Sequence, residues 1–307
     1  MLDPRIKFRH LQTFIEVARQ ASVGKAAKVL AVSQPAVTRT IRELEAILEV
    51  RLVEKDGRGI RITPTGEIFL KHAGASVAAA RRGIDAIDQH MNAAGPPVRV
   101  GCLPSVSAGI MPAAVARYLE IGNGNRLKIV TGENTILLAQ LRTGDLDIVM
   151  GRLAAPEQMT GLNFEPLYRE AVVFAVRSDH PLLAMRPFSL AALERYPVLM
   201  PPEGSVIRPF VERFLVNNGI AEMKGRIETV SDSFARAFMR VSDAVWIISR
   251  GGVANDLAAG VTAILPLDTS ETVGSVGLST RPDIEPSPSI AMFLSTVREV
   301  AAETSHG

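Results

Sequence analysis

The stretch from Ser33 to Leu48 constrains the fold of this chain more than any other. Val37, Ile41, Leu44 and Leu48 recur at helical spacing and make one apolar face. Ser33 is placed to cap that helix, and Pro35 falls in its first turn, where its missing N–H is harmless. The opposite face carries Gln34, Thr38, Arg39 and Arg42. Upstream, Leu11, Phe14, Ile15 and Ala18 mark a helix over residues 8–20, and Ser22 caps a short helix over Gly24–Leu30. Ala31 and Val32 leave room only for a tight turn, so the pattern predicts a helix-turn-helix. Gln makes paired hydrogen bonds to an adenine edge, Arg to guanine, and Thr offers a methyl or hydroxyl. A helix presenting all three suits a major groove. A solvated amphipathic helix would carry any one of them, but the combined arrangement favours DNA.

Charge points the same way once it is divided along the chain. The 307 residues have a net charge of +2, which looks uninformative. Residues 1–66 hold 12 Lys/Arg and 7 Asp/Glu, residues 67–95 hold 3 of each, and residues 96–307 hold 19 and 22. A basic end joined to a mildly acidic body suggests nucleic acid at one end and another partner at the other. Within the basic end, residues 51–63 read as two short strands around a Gly-rich turn, with Lys55, Arg58 and Arg61 at its tip and flanks. Such a wing would lay positive charge along phosphates, adding affinity but little sequence information. An exposed basic hairpin without that role is the simpler alternative.

From Glu67 to Met91 there is no proline, and Val77, Ala80, Ile84, Ile87 and Met91 follow a 3-4-3-4 spacing. That is a seam for pairing two helices, or one face of a helix packed on a core. Gly95-Pro96-Pro97 ends it. Beyond lies an alternating α/β pattern. Strands are expected at Val98–Cys102, Arg126–Thr131, Leu146–Met150, Ala171–Val176, Val198–Met200, Arg226–Thr229, Ala244–Ile248 and Val261–Leu265. Helices are expected at Ser107–Glu120, Asn134–Arg142 and Ser289–Glu303. This predicts largely parallel sheets covered on both faces. Crossovers at Leu162–Leu167 and Leu265–Leu267 would divide the segment into subdomain I (about 96–166 and 268–307) and subdomain II (about 167–267).

In open α/β sheets, ligands sit beyond the carboxyl ends of the strands, where helix N-termini favour an anion. Ser105, Asn134, Ser205 and Ser231 fall at such positions, although each would serve equally as a helix cap. Arg208 could pair with a carboxylate or be a surface residue.

Catalytic patterns are absent from the sequence. His10, His72, His90, His180 and His306 lack metal-ligand spacing, and neither a GxSxG elbow nor a phosphate loop occurs. Gly122-Asn123-Gly124-Asn125 lacks the third glycine of a dinucleotide site. The lone Cys102 excludes an internal disulfide and reads as a buried thiol. No enzyme activity, cofactor or metal is expected. The N-terminus has no apolar core and no apolar run is long enough to span a bilayer, so no membrane association and a cytoplasmic location are the expectation.

Two runs make the pattern specific. One is Leu11-Gln12-Thr13-Phe14 … Ala26-Ala27-Lys28-Val29-Leu30 … Ser33-Gln34-Pro35-Ala36-Val37-Thr38-Arg39-Thr40-Ile41-Arg42-Glu43-Leu44-Glu45, and the other is Leu52 … Thr63-Pro64-Thr65-Gly66. Together they resemble the DNA-binding segment of LysR-type transcriptional regulators. Gly144–Gly151 and Arg177–Leu182 look like signatures of the family's effector domain. The resemblance implies a winged helix-turn-helix (1–66), a linker helix that pairs subunits (67–95) and a type 2 periplasmic-binding-protein-like effector domain (96–307). It implies double-stranded operator DNA, RNA polymerase and a small organic-acid co-inducer as partners, and a homodimer or homotetramer. Together with the outward face of the third helix and the basic hairpin, it leads to Ser33, Gln34, Pro35, Thr38, Arg39, Arg42, Lys55 and Arg58 as the residues expected at DNA. It favours Ser105 and Asn134 over Ser205 and Ser231 at the effector. Glu49 replaces the family's usual glycine, and Val53 and Lys55 its usual Phe and Arg, so the exit from the recognition helix and individual wing contacts are expected to differ. Within the family the chain most resembles regulators of protocatechuate catabolism, implying a carboxymuconate-type inducer. A related branch regulates sugar-uptake genes. A solute-binding or transport-associated protein is the alternative from another class.

Overall fold

The structure, a computed structural model, describes residues 3–57, 59–91, 97–122, 126–220, 223, 225–282 and 284–305, apart from the side chains of residues 82, 85, 86 and 88–91. The chain divides into two compact units, Met1–Pro96 with Ala139–Leu146, and Pro97–Leu138 with Asp147–Gly307.

The first unit opens with α1 (Phe8–Gln20), α2 (Val23–Val29) and α3 (Gln34–Leu48). Ser22 and Ser33 cap α2 and α3, their hydroxyls accepting from the N–H groups of Lys25 and Ala36. The antiparallel hairpin β1 (Val53–Asp56) and β2 (Gly59–Ile62) follows, and then the long helix α4 (Pro64–Met91). Phe14, Val17, Ala26, Val37, Ile41, Leu44 and Leu52 are buried together. Phe69 of α4 closes this core, its ring 5.6 Å from that of Phe14. Three turns in this unit are made by left-handed residues that are not glycine: Ala21 (φ 45), Ala31 (φ 53) and Glu49 (φ 58). Glu49 therefore itself takes the left-handed C-cap conformation that glycine would adopt with less strain. Along α4, Ala80, Ile84 and Ile87 are exposed. The side chain of Met91 lies outside the described residues.

The second unit contains two five-stranded sheets. From Val98 the chain order is β3 (Val98–Cys102), α5 (Pro104–Ala108), α6 (Met111–Ile121), β4 (Leu127–Thr131), α7 (Asn134–Thr143, counted with the first unit from Ala139), β5 (Ile148–Arg152), α8 (Pro156–Met159), β6 (Asn163–Glu170) and β7 (Val172–Arg177). It continues through β8 (Val198–Met200), α9 (Arg208–Asn217), β9 (Arg226–Glu228), α10 (Asp232–Val241), β10 (Val245–Ser249), α11 (Ala254–Ala258), β11 (Thr262–Ile264), β12 (Gly274–Thr280) and α12 (Pro288–Ser305). The sheets run β4-β3-β5-β12-β6 and β11-β7-β10-β8-β9. Phe293 and Val297 of α12 return to the first sheet's core, where Phe293 meets Tyr118 edge to face at 5.2 Å.

The sheets are mixed rather than largely parallel. β12 runs antiparallel to β5 and β6, and β7 runs antiparallel to β10 and β11. The expected crossover at 162–167 lies largely inside β6, and the chain passes to the other sheet at Ala171. Pro166 hid this strand; it is tolerated because β6 lies at the sheet edge, where a ladder N–H is dispensable. β12 was hidden by Gly274, Ser275, Gly277 and Ser279. Gly277 sits at an irregularity in the β6–β12 pairing, and a Cβ there would collide with the Glu165 carbonyl. The expected helix over 107–120 is two helices separated at Gly109–Ile110.

The family-like signatures are structural. Asp147 accepts from the Arg99 N–H at 2.8 Å, joining β5's lead-in to β3. His180 Nδ1 accepts from the Leu182 N–H at 3.1 Å, and its Nε2 faces the Asp243 carbonyl at 3.1 Å.

Candidate DNA face and ligand cleft

In the first unit, Gln34, Pro35, Thr38, Arg39 and Arg42 line one shallow groove with Glu43 and Ala46. The Ser33 hydroxyl is spent on its cap. Thr38 Oγ1 donates to the Gln34 carbonyl at 3.1 Å, leaving its methyl and lone pairs to face outward. Arg39 Nε donates to Glu43 Oε1 at 2.9 Å, and this guanidinium holds the Glu43 carboxyl below the usual carboxylate range. Arg42 is exposed and has no partner among the described residues. The groove thus combines one free and one tethered arginine.

The hairpin is fastened by a residue whose role was not read from the sequence. Glu45, buried near the end of α3, accepts from the N–H groups of Leu52 (2.8 Å) and Val53 (3.2 Å) and from Arg51 Nη1 (3.2 Å). At the hairpin's other end, Thr63 Oγ1 donates to the Arg51 carbonyl and accepts from the Gly66 N–H. A Cβ on Gly66 would collide with the Leu52 carbonyl. The recurring Leu-Glu and Thr-Pro-Thr-Gly pieces therefore anchor the hairpin between two helices. Lys55 is exposed on it, whereas Arg61 is bonded to Glu54 across the strands at 2.7 and 2.9 Å, so it does not offer a free cation. Arg58 lies outside the described residues.

In the second unit, a cavity of about 380 Å³ lies beyond the strand ends. Ser105, Asn134 and Ser205 line it, with Thr131, Arg152 and Trp246. Ser231 does not line it; its hydroxyl accepts from Phe234 N–H at the start of α10. Arg208 is neither a surface residue nor free to meet a ligand. It is buried, donating to Glu212 (2.6 Å), Glu228 (2.9 Å) and the Pro201 carbonyl (2.7 Å). Cys102 is fully buried, and burial pushes its thiol up, away from reactivity.

Two groups in the cavity wall stand out. Asn134 is 5% exposed, and its amide nitrogen has no partner. Arg152, 4% exposed, makes no ion pair among the described residues, and its Nε is unpartnered. Its guanidinium donates to the carbonyls of Glu170 (3.4 Å) and Thr272. Glu170 precedes one crossover between the sheets, and Thr272 lies on the chain's return to the first sheet. Burial lowers the Arg152 pKa, and the Glu170 carboxylate that acts on it is itself pushed up by burial. Asp232, also in the wall, is already committed to Arg236. A buried cation without a paired anion is costly, and a carboxylate ligand would relieve it. Arg152 was missed from sequence, although an arginine closing the apolar run Ile148-Val149-Met150-Gly151 is a visible signal.

A winged helix-turn-helix and a two-sheet ligand-binding unit in one chain define a ligand-responsive DNA-binding regulator. Residues 8–67 match the bacterial regulatory helix-turn-helix protein model of the lysR family, and residues 92–302 match the LysR substrate binding domain. The chain belongs to the LysR family of transcriptional regulators, and is not a stand-alone solute-binding protein. It is 57% identical over 307 residues to the HTH-type transcriptional regulator PcaQ of Agrobacterium fabrum, covering 100% of this chain and 99% of that one. It is 34% identical over 299 residues to the uncharacterized regulator YdcI of Escherichia coli K12, covering 97% of each. The fold is similar to that of full-length CbnR complexed with its target DNA, with a TM-score of 0.56, 23% identity and coverage of 96% and 100%. No helix among the described residues is long and apolar enough to cross a membrane.

Proposed function

We propose that the regulator responds to a small organic acid of protocatechuate-type aromatic catabolism, bound in the cavity at Arg152 and Asn134. The observation that carries this reading is the buried Arg152 guanidinium, which makes no ion pair among the described residues and lines the same cavity as the unpartnered Asn134 amide. A neutral sugar would leave that charge uncompensated, which disfavours the sugar-uptake alternative. The 57% identity to PcaQ and the sequence resemblance to protocatechuate regulators support the pathway. Ser105 and Ser205 are the hydroxyls placed to orient the acid. Because Arg152 also holds the carbonyls of Glu170 and Thr272, a ligand drawing on it reaches both passages between the sheets. Such a ligand shifts the protein only through its differential affinity for two arrangements of those sheets.

In this reading residues 1–66 bind operator DNA through α3 and the hairpin, residues 67–95 pair two copies along Ala80, Ile84 and Ile87, and residues 96–307 bind effector. The protein acts in the cytoplasm as a homodimer or homotetramer, meeting RNA polymerase at the promoter, with no catalytic step. The test is a thermal-shift series with dicarboxylates and tricarboxylates. Stabilisation by at least one acid is expected in the wild type, and its loss in Asn134→Ala. Stabilisation undiminished in the variant removes Asn134 from the site.

A further inference from the structure

The outward face of α3 carries an acid among its cations. Glu43 lines the groove with Gln34, Thr38, Arg39 and Arg42, and it is the only anion among the lining residues. On a face that is to meet DNA, a carboxylate repels phosphate and weakens binding to any sequence. Such a charge is tolerable where it improves discrimination between sequences.

Both carboxylate oxygens face other groups. Oε1 accepts from Arg39 Nε at 2.9 Å. Oε2 faces α1, where Arg9 Nη2 and His10 Nε2 each lie 3.5 Å away. The His10 side chain is 3% exposed, and its Nδ1 accepts from the Lys7 N–H at 3.2 Å. That acceptor role puts the ring proton on Nε2, which has no hydrogen-bond partner and has Glu43 as the acid beside it. Arg39 first, then His10 and Arg9, hold the Glu43 carboxyl below the usual carboxylate range, so it stays ionised.

Stability alone does not account for the pair of Arg39 and Glu43. The Arg39 side chain is 80% exposed, and Arg followed by Glu at i, i+4 is the weaker order on a helix. Exposed pairs of this kind add little to folding. What the tether fixes is the direction of a long side chain. With Nε committed, Arg39 Nη1 and Nη2 remain without a partner among the described residues, as a planar fork that matches guanine O6 and N7. Ordering that fork in advance lowers the entropy lost on binding. Arg42, three residues on, has no such tether among the described residues.

We propose that Glu43 is the positioning residue of the DNA-reading helix: braced against Arg9 and His10 of α1, it holds the Arg39 guanidinium ready for a guanine and gives up general affinity for discrimination. This rests on the proposed reading that α3 enters the DNA. In this role Glu43 acts through Arg39.

The test titrates the full-length chain with two probes. One is the duplex that the wild type itself selects most strongly from a randomised library, and the other is a pool of random-sequence duplexes of the same length. The ratio of the two dissociation constants measures discrimination. In Glu43→Ala, discrimination is expected to fall about fivefold or more, while affinity for the random pool holds or rises up to about threefold. In an Arg39→Ala background the same substitution should change discrimination by less than about twofold, because no guanidinium is left to position. Equal loss in both backgrounds makes Glu43 act without Arg39 and overturns the proposal. Parallel weakening on both probes marks a merely structural role and overturns it, as does unchanged discrimination. If Arg39→Ala alone leaves discrimination intact, the reading of α3 fails and the positioning role falls with it. If Arg39→Ala lowers discrimination and Glu43→Ala does not, only the positioning role fails.

Discussion

The two units hold their unfavourable terms in different places. In the DNA-reading unit the strain is in the backbone: Ala21, Ala31 and Glu49 all sit in the left-handed region. The cations proposed to meet DNA, Arg39 and Arg42, are exposed and carry little desolvation penalty. From Pro97 onward, the left-handed residues among those described are glycines, such as Gly204, Gly219 and Gly260. There the unfavourable term is electrostatic, in Arg152 and the unpartnered Asn134 amide. The difference teaches what each unit does when its partner arrives. In the proposed reading, DNA meets an exposed surface already arranged, whereas an anionic ligand removes an existing penalty. Ligand binding should therefore stabilise the second unit strongly, while DNA binding should be governed by salt and sequence.

Arg152→Met puts the largest effect on one side of this comparison. The side chain is of similar length and replaces the buried cation with an apolar group, leaving the Glu170 carboxyl, which burial already pushes up, without its neighbouring charge. Affinity for the acid that stabilises the wild type is expected to fall by about 2–5 kcal/mol. Stability without ligand is expected to hold or to rise by up to about 4 kcal/mol, as replacements of buried charges often do. Thermal unfolding with and without the acid measures both. A ligand-free protein much less stable than the wild type would show that the bonds to the Glu170 and Thr272 carbonyls outweigh the buried charge.

Arg42→Ala probes the exposed side. Its stability should stay within about 0.5 kcal/mol of the wild type, because the exposed guanidinium makes no hydrogen bond or ion pair with another described residue. Specific DNA binding should weaken by about 1–3 kcal/mol if Arg42 reads a base. Shift assays at two salt concentrations, on operator and random DNA, separate the outcomes. Equal loss on both DNAs, with a shallower salt slope, assigns Arg42 to phosphate. A drop in stability would break the claim that this face carries no folding role.

How much of this was visible in the sequence follows the same division. The DNA-reading unit was legible because its signals are local: Ser22 and Ser33 cap their helices, and Val37, Ile41, Leu44 and Leu48 face inward at one period. The strands with continuous apolar runs, such as Val198–Met200, were legible for the same reason. β6 and β12 were not, since one carries Pro166 and the other alternates glycine and serine. Their places depend on the sheet edge and on a close approach at Gly277, neither of which is local. Ser105, Asn134 and Ser205 were legible as the starts of helices after strands. Ser231 had the same pattern, but its side chain turned back to its own helix. Glu45, Arg61 and Arg152 are defined by partners across the fold, so spacing alone could not assign them.

The smallest effect concerns the backbone. A non-glycine residue in the left-handed region costs about 1–2 kcal/mol, and a glycine adds about 0.5–1 kcal/mol of chain entropy to the unfolded state. Glu49→Gly should therefore stabilise the DNA-reading unit by about 0.5–1 kcal/mol, seen as a higher urea midpoint at unchanged slope. Glu49→Ala separates backbone from charge. It removes the carboxylate that acts on Arg5 but keeps the strained Cβ, so it should give no gain. Equal stabilisation by both variants would assign the effect to charge and withdraw Glu49 from the strained turns. A gain confined to glycine would confirm that this unit holds its unfavourable term in its turns.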